Sequence, residues 1–299
     1  MIRKAINILL LGRTYVLGIP YLWLLIFLLL PMLIVFKLSF SEMKIGLPPY
    51  ASLVSIQDFI VTLKINLGNY QFLFDDPFYA SAYVNSLKVA AISTFICLLI
   101  GYPMAYCIAR APGQWRPILL TLVVLPSWTS FLLRIYAWMG ILQETGYLNQ
   151  FLLAIGVVQQ PIQFLYTDFA VYLGIVYGYL PFMVLPLYVA ITKMDWDLLK
   201  AAADLGAKPW KAFLRVTLPL TKTGIIIGCL LVFIPAVGEF VVPDLLGGSS
   251  SSMIGRVMWQ EFFANRDWPL AAALALVMIL MLMIPIYYFT RIEKRVEDA

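Results

Sequence analysis

Residues 194–220 read MDWDLLKAAADLGAKPWKAFLRVTLPL, and the way this stretch folds decides how the rest of the chain is organised. Asp195 suits an N-cap, and Asp197 falls in the first turn, where a helix dipole favours an anion. Leu198, Leu199, Ala202 and Leu205 recur at helical spacing and form an apolar stripe. Gly206 stands where a helix needs a left-handed residue to stop, and Pro209 suits the first turn of a second helix. That second helix sets Trp210, Phe213 and Leu214 against Lys208, Lys211 and Arg215, and Pro219 is expected to end it. The spacing predicts a short helix–glycine–helix elbow. So short a segment cannot bury its own apolar face. It must cover neighbouring helices, dock into another protein or lie on a bilayer surface.

On both sides of the elbow the chain is apolar over lengths that only lipid explains. Of its 299 residues, 62% are hydrophobic and 12% charged, whereas soluble domains carry about 25% charged residues. A spanning helix needs about 20 mainly apolar residues. Six stretches qualify: 16–36, 84–109, 117–142, 168–192, 221–242 and 268–290, the third interrupted by Arg134. The expected fold class is all-α transmembrane, with a membrane domain over 16–290, a cytoplasmic segment 1–15 and a cytoplasmic tail 291–299. Lys and Arg near the span ends set the orientation. Arg3, Lys4 and Arg13 precede the first span, and Arg110 and Arg116 follow the second. Lys193, Lys200, Lys208, Lys211, Arg215 and Lys222 surround the elbow, and Arg291, Lys294 and Arg295 follow the sixth span. Residues 143–167, between the third and fourth spans, contain neither Lys nor Arg. Both termini and the elbow are thus expected on the cytoplasmic side. The same distribution argues against nucleic acid as the reason for the net charge of +5, because the basic residues lie between apolar runs rather than on one face.

Several chemistries are excluded or weakened. The chain has no histidine, which removes every triad or metal site built on imidazole. Cys97, Cys107 and Cys229 sit inside apolar runs without ligand spacing, as small packing residues do. No G-x4-G-K-[S/T] loop is present to cradle nucleotide phosphates, so any ATP hydrolysis that drives this molecule belongs to another chain. No catalytic, metal or cofactor site is expected. Near the N-terminus the apolar stretch 5–12 is broken by Asn7 and closed by Arg13, and the next apolar run is too long for a signal sequence. The first span is therefore expected to be retained. Pro31, Pro103, Pro126, Pro181, Pro186, Pro235 and Pro285 punctuate the spans, and Gly174-x-x-x-Gly178 and Gly224-x-x-x-Gly228 have close-packing spacing. The long outer loop 37–83 is either a solvated connector or a seat for a soluble partner.

The elbow also resembles a known family. Ala201-Ala202-x3-Gly206-x9-Val216-x-Leu218-Pro219 is similar to the E-A-A-x3-G-x9-I-x-L-P motif of permease subunits of ATP-binding-cassette importers. Lys200 stands where the motif has glutamate, and Val216 where it has isoleucine. Further runs resemble the polyamine branch of that family, putrescine permeases first and spermidine permeases next: LPSWTS at 125–130 with RIYAW at 134–138, VGEFVVPDLLGG at 237–248, IGR at 254–256 and NRDWP at 265–269. The resemblance covers roughly residues 15–290. It implies the six-span fold of type I importer permeases, N-in and C-in, in a bacterial inner membrane. It also implies a second homologous permease, a dimer of ATPase subunits carrying ATP and magnesium, and a periplasmic polyamine-binding protein. In such a complex the elbow is the coupling helix, which puts Lys200, Ala201, Ala202, Asp204, Gly206 and Pro219 at the ATPase contact.

A polyamine carries charge that hydrocarbon does not tolerate, so its path needs anionic or aromatic partners. Glu239 is the acid inside the fifth span, able to line a path or to pair with Arg134 or with a partner subunit. Asp244 and Asp267 lie near the outer mouth, where they either attract cations or cap helices. Trp128, Tyr136 and Trp138 on the third span, and Tyr177 and Tyr179 on the fourth, either line the path or form an interfacial belt. The expected pathway set is Glu239, Asp244, Trp128, Tyr136 and Tyr177. The same machinery with spermidine or another small cation is the nearest alternative. A proton-coupled carrier working alone, or a membrane-embedded enzyme, is disfavoured by the missing histidine and by the single clear buried acid.

Overall fold

The computed structural model describes residues 16–57, 60–248 and 251–297. The N-terminal segment 1–15, expected to be cytoplasmic, falls outside the described residues. The chain forms two compact units, Met1–Asp76 with Met258–Leu280 and Pro77–Val257 with Met281–Ala299.

In the first unit, helix α1 Val16–Ser39 is apolar on all sides, and no residue of its spanning window is buried. Its C-terminal end is tied down. The Tyr70 hydroxyl donates to Ser39 Oγ at 2.8 Å, and Asn69 Nδ2 donates to the carbonyls of Ser39 and Ser41, each at 2.9 Å. Both donors lie on the short helix α2 Gly68–Asp75. The loop before α2 contains a small departure from the all-helical expectation. Strand β1 Val54–Gln57 pairs antiparallel with β2 Ile60–Leu63, with Val54 opposite Leu63. The β-branched Val54, Ile56, Ile60, Val61 and Thr62 favour this pairing.

The second unit contains α3 Pro77–Arg110, α4 Arg116–Trp128, α5 Phe131–Leu142, α6 Tyr147–Ala154 and α7 Asp168–Thr192. It continues with α8 Asp197–Asp204, α9 Pro209–Leu220, α10 Lys222–Val237, α11 Val241–Leu245 and α12 Ile254–Trp259. The last helix, α13 Trp268–Glu297, starts in the first unit and ends in the second. Helices α3, α7 and α10 enclose a core in which Cys97, Met183, Leu187, Ile191 and Val232 are wholly buried. Cys97 thus packs as read from the sequence, while Cys107 is exposed. The α7–α10 crossing is close because glycine lines it. A Cβ on Gly224 would stand 2.4 Å from Ala190 Cβ, and one on Gly228 2.8 Å from Met183 Sδ. Gly174 packs on Val242 and Leu246, and Gly178 on Phe131.

Four helical stretches are long and apolar enough to cross a membrane alone: α1, α3, α7 and Trp268–Tyr288 of α13. The third expected span is bent, and a second bend joins the elbow to the fifth. Arg116–Trp128 meets Phe131–Ala154 at 87°, and α9 meets α10 at 69°. Counting each bent pair as one crossing gives six.

The third expected span, punctuated by Pro126, is broken at that proline. Pro126 has no N–H to continue the ladder, so the chain tightens into a 3-10 turn at Leu125–Trp128 and then extends at Thr129 and Ser130. The following loop also holds α6. Pro219 does not end the elbow, contrary to expectation. A π turn at Phe213–Thr217 lets the Leu218 N–H reach the Phe213 carbonyl, and the helix runs through Pro219 to Leu220. The break comes at Thr221. Its buried hydroxyl donates to the Thr217 carbonyl at 2.8 Å and is paired with the Tyr102 hydroxyl at 2.8 Å.

Candidate functional site

The fifth span stops at Val237, short of residue 242, and α11 begins only at Val241. Glu239 lies in this break, not inside a helix as the sequence suggested, and is only 6% exposed. Its Oε1 accepts from the N–H groups of Phe240 at 3.1 Å, Val241 at 3.0 Å and Val242 at 3.4 Å. Its Oε2 accepts from the Tyr179 hydroxyl at 2.5 Å. The carboxylate thus satisfies amides at the start of α11 that no helical carbonyl can reach. The break rests on Gly255, where a Cβ would be 2.3 Å from the Gly238 carbonyl oxygen and 2.6 Å from that of Glu239.

Glu239 and Tyr179 border a cavity of about 450 Å³ that Ser127, Phe131 and Arg134 also line. The Arg134 guanidinium carbon lies 5.4 Å from the centre of the Phe131 ring. Its Nε and Nη1, together with Ser127 Oγ, are buried without a hydrogen-bond partner among the described residues. Arg134 and Glu239 share the cavity without forming an ion pair. Among the described residues the ion pairs are Lys200–Asp197 and Arg256–Asp244.

The other pathway candidates lie elsewhere. Asp244 is held by Arg256 Nε at 3.1 Å. Trp128 and Tyr136 are exposed, and Tyr177 packs edge-on against Trp138 with ring centres 5.4 Å apart. Asp267 accepts from the Leu270 N–H at 3.0 Å, as an N-cap of α13 does. The structure gathers Glu239, Tyr179, Arg134 and Ser127. It does not bring Asp244, Trp128, Tyr136 or Tyr177 to that cavity. Nothing local in the sequence links Tyr179 to Glu239, because the contact depends on how α7 packs against the break.

The elbow forms as its sequence dictates. Asp195 Oδ1 accepts from the Asp197 N–H at 2.9 Å, although the N-cap residue itself is Trp196. At the other end the Ala207 N–H bonds the Ala202 carbonyl at 3.0 Å and the Gly206 N–H bonds the Ala203 carbonyl at 2.8 Å, with Gly206 at φ +79°. This is the Schellman stop, which needs a residue at ease in the left-handed region. Lys200 Nζ contacts Asp197 Oδ1 at 2.7 Å on an open surface. The lysine beside it holds the Asp197 carboxyl below the usual carboxylate range, and Asp197 pushes Lys200 up. Ala201, Asp204 and Pro219 are exposed and Ala202 is half-buried. Leu205 is 89% exposed and Trp210 59%, an apolar tip largely open among the described residues, with Lys211 Nζ 5.6 Å from the Trp210 ring centre.

Residues 3–298 match the family described as binding-protein-dependent transport system inner membrane component. The chain belongs to that family. The permease is 44% identical over 277 residues to the spermidine/putrescine transport system permease protein PotB of Haemophilus influenzae, an overlap of 93% of this chain and 92% of that one. It is 42% identical over 279 residues to PotB of Escherichia coli K12, covering 92% and 97%. Among solved structures, a bacterial ABC transporter that imports alginate matches it with a TM-score of 0.68 at 19% identity, over 95% of this chain and 96% of that one. The MetNI methionine ABC transporter matches with a TM-score of 0.54 at 16% identity, over 73% and 95%. These likenesses establish the fold of an ABC importer permease. Family membership makes the chain a membrane component of a transport system, not an enzyme.

Proposed function

We propose that this permease forms half of the translocation path of an ATP-driven polyamine importer in a bacterial inner membrane, with putrescine as the preferred cargo. The observation that supports a polyamine cargo is the near full-length identity of 44% to a spermidine/putrescine permease; the preference for putrescine rests on the sequence runs that resemble putrescine permeases. In this proposal both termini and the elbow lie in the cytoplasm, in keeping with the clustering of Lys and Arg there. A periplasmic protein delivers the polyamine, a second homologous permease supplies the other half of the path, and a pair of ATPase subunits binds ATP and magnesium.

The elbow docks on the ATPase through Leu205 and Trp210, with Lys200, Ala201, Ala202, Asp204, Gly206 and Pro219 around the contact. The exposure of its apolar tip supports this role. In the path, Glu239 offers a carboxylate whose hydrogen bonds come from amides and a hydroxyl rather than from a cation. Among the described residues no cation is bonded to it, so it can pair with an ammonium group even though the Arg134 guanidinium lines the same cavity. Asp244, Trp128, Tyr136 and Tyr177 do not line that cavity and would meet the polyamine elsewhere on its way, Asp244 by exchanging its Arg256 partner.

Proteoliposomes holding all four kinds of component should take up labelled putrescine only with ATP, and unlabelled spermidine should compete less well than putrescine. Uphill uptake by this chain alone, collapsing with the proton gradient, would refute the proposal. Stronger competition by spermidine would change the cargo and leave the machinery standing. A cysteine at Ala202 in a cysteine-free background should crosslink to the ATPase, whereas labelling from the outer side alone would overturn the orientation.

A further inference from the structure

We infer that a basic slot beside the elbow receives an acidic side chain of the ATPase subunit, so that docking pairs cations of this permease with carboxylates of its partner. The inference rests on the ATPase partner proposed above. The slot is a cavity of about 620 Å³ lined by the C-terminal end of α3, the first residue of α4, and α8 with the start of α9. Three cations converge on it: Arg110, Arg116 and Lys200. No Asp or Glu lines it among the described residues.

Two of the cations are held in place. The Arg110 guanidinium carbon lies 5.7 Å from the Tyr106 ring centre and 5.8 Å from that of Trp196. Arg116 Nε donates to the Ala111 carbonyl at 2.8 Å. Among the described residues neither guanidinium is within ion-pair distance of a carboxylate, and Lys200 alone has one, Asp197. Like charges gathered in a hollow repel one another unless an anion joins them. Guanidinium groups fixed by ring faces and a carbonyl have already lost the freedom that binding would cost, and their planar forks match a carboxylate.

The surroundings favour a protein over a membrane as the source of that anion. Exposed Asp195, Asp197 and Asp204 alternate on the same elbow with exposed Lys200, Lys208, Lys211 and Arg215, so a partner must answer charges of both signs, which a uniformly anionic lipid surface does not. Exposed Leu205 and Trp210 sit among charges of both signs, the mixture that a protein groove covers. Lys200, where the related motif has glutamate, leaves that place in the slot without a carboxylate, and its own ammonium is paired with Asp197, so Arg110 and Arg116 carry the unanswered charge.

The test titrates the ATPase subunit onto nanodiscs of phosphatidylcholine that hold the permease pair. Arg110→Gln with Arg116→Gln should weaken binding about ten-fold at low salt and remove most of the salt dependence. The charge-keeping pair Arg110→Lys with Arg116→Lys should bind within about two-fold of the unaltered protein. An Asp→Lys or Glu→Lys change on the permease-facing surface of the ATPase should restore binding to Arg116→Glu. Equal affinity for the glutamine pair and the unaltered permease would overturn the inference and leave the proposed function standing. Equal losses in the glutamine and lysine pairs would also overturn it, since charge would then not be what binds. An arginine effect that appears only with phosphatidylglycerol would assign the slot to a lipid headgroup and overturn it too. Failure of the ATPase to bind the unaltered permease would remove both the inference and the function beneath it.

Discussion

Replacing Glu239 should loosen the start of α11 by an amount that can be worked from its hydrogen bonds. Two amide bonds at 3.1 and 3.0 Å and the Tyr179 bond have good geometry, whereas the contact with Val242 at 3.4 Å adds little. A hydrogen bond to a charged group contributes about 1.5–3 kcal/mol, and one between neutral groups about 0.5–1.5. Glu239→Gln keeps a carbonyl oxygen for the amides but removes the charge, so three bonds each weaken by about 1 kcal/mol and the local loss is about 2–4 kcal/mol. Glu239→Ala costs more, because buried N–H groups and a hydroxyl are left without an acceptor. Hydrogen exchange in nanodiscs reads this directly at the amides of Phe240 and Val241. At ten-fold per 1.4 kcal/mol, Glu239→Gln should speed their exchange about 30- to 800-fold, and distant amides of α3 should stay protected. Unchanged exchange in both variants would refute the capping role derived for this carboxylate.

Gly206→Val places a β-branched residue at φ +79° and should strain the elbow by about 1–2 kcal/mol; ATPase turnover should continue while uptake falls, as a coupled assay would record. Gly224→Ala sets a methyl group 2.4 Å from Ala190 Cβ; overpacking of this kind costs about 1–3 kcal/mol and should lower the melting temperature in detergent. The Asp197 carboxyl should titrate below the usual carboxylate range by NMR, and Lys200→Gln should move it back up. Because that midpoint is depressed, whatever the pair contributes is present above the ordinary carboxylate range and is lost as pH falls through the depressed midpoint.

The parts of this fold that local chemistry decides could be read from the sequence. Helix α7 occupies 168–192 as expected, opened by Thr167, whose hydroxyl accepts from the Ala170 N–H. Gly206 and Pro209 set the elbow for the same reason: a left-handed stop and a helix start depend on the residues themselves. The bends could not be read. Pro103 passes through α3, and Pro181 and Pro186 through α7, without a break, whereas Pro126 precedes a sharp turn. The same residue gives opposite outcomes because neighbouring helices decide whether its lost hydrogen bond is made good. Glu239 was visible as a buried acid, but its work was not. The amides it holds exist as free donors only because α10 ends before it, and Tyr179 reaches it from another helix. The basic slot escaped notice for a similar reason, since Arg110, Trp196 and Lys200 meet only in three dimensions.

With nothing but a hydrogen facing the Gly238 and Glu239 carbonyls, Gly255 leaves evolution almost no latitude at that corner. Even alanine would push on main-chain oxygens, which cannot swing aside as the end of a long side chain can. Drift there must be concerted, with the turn and the residue beneath it changing together. Along the spanning window of α1, by contrast, one apolar residue can replace another with little consequence, because none of that window is buried among the described residues.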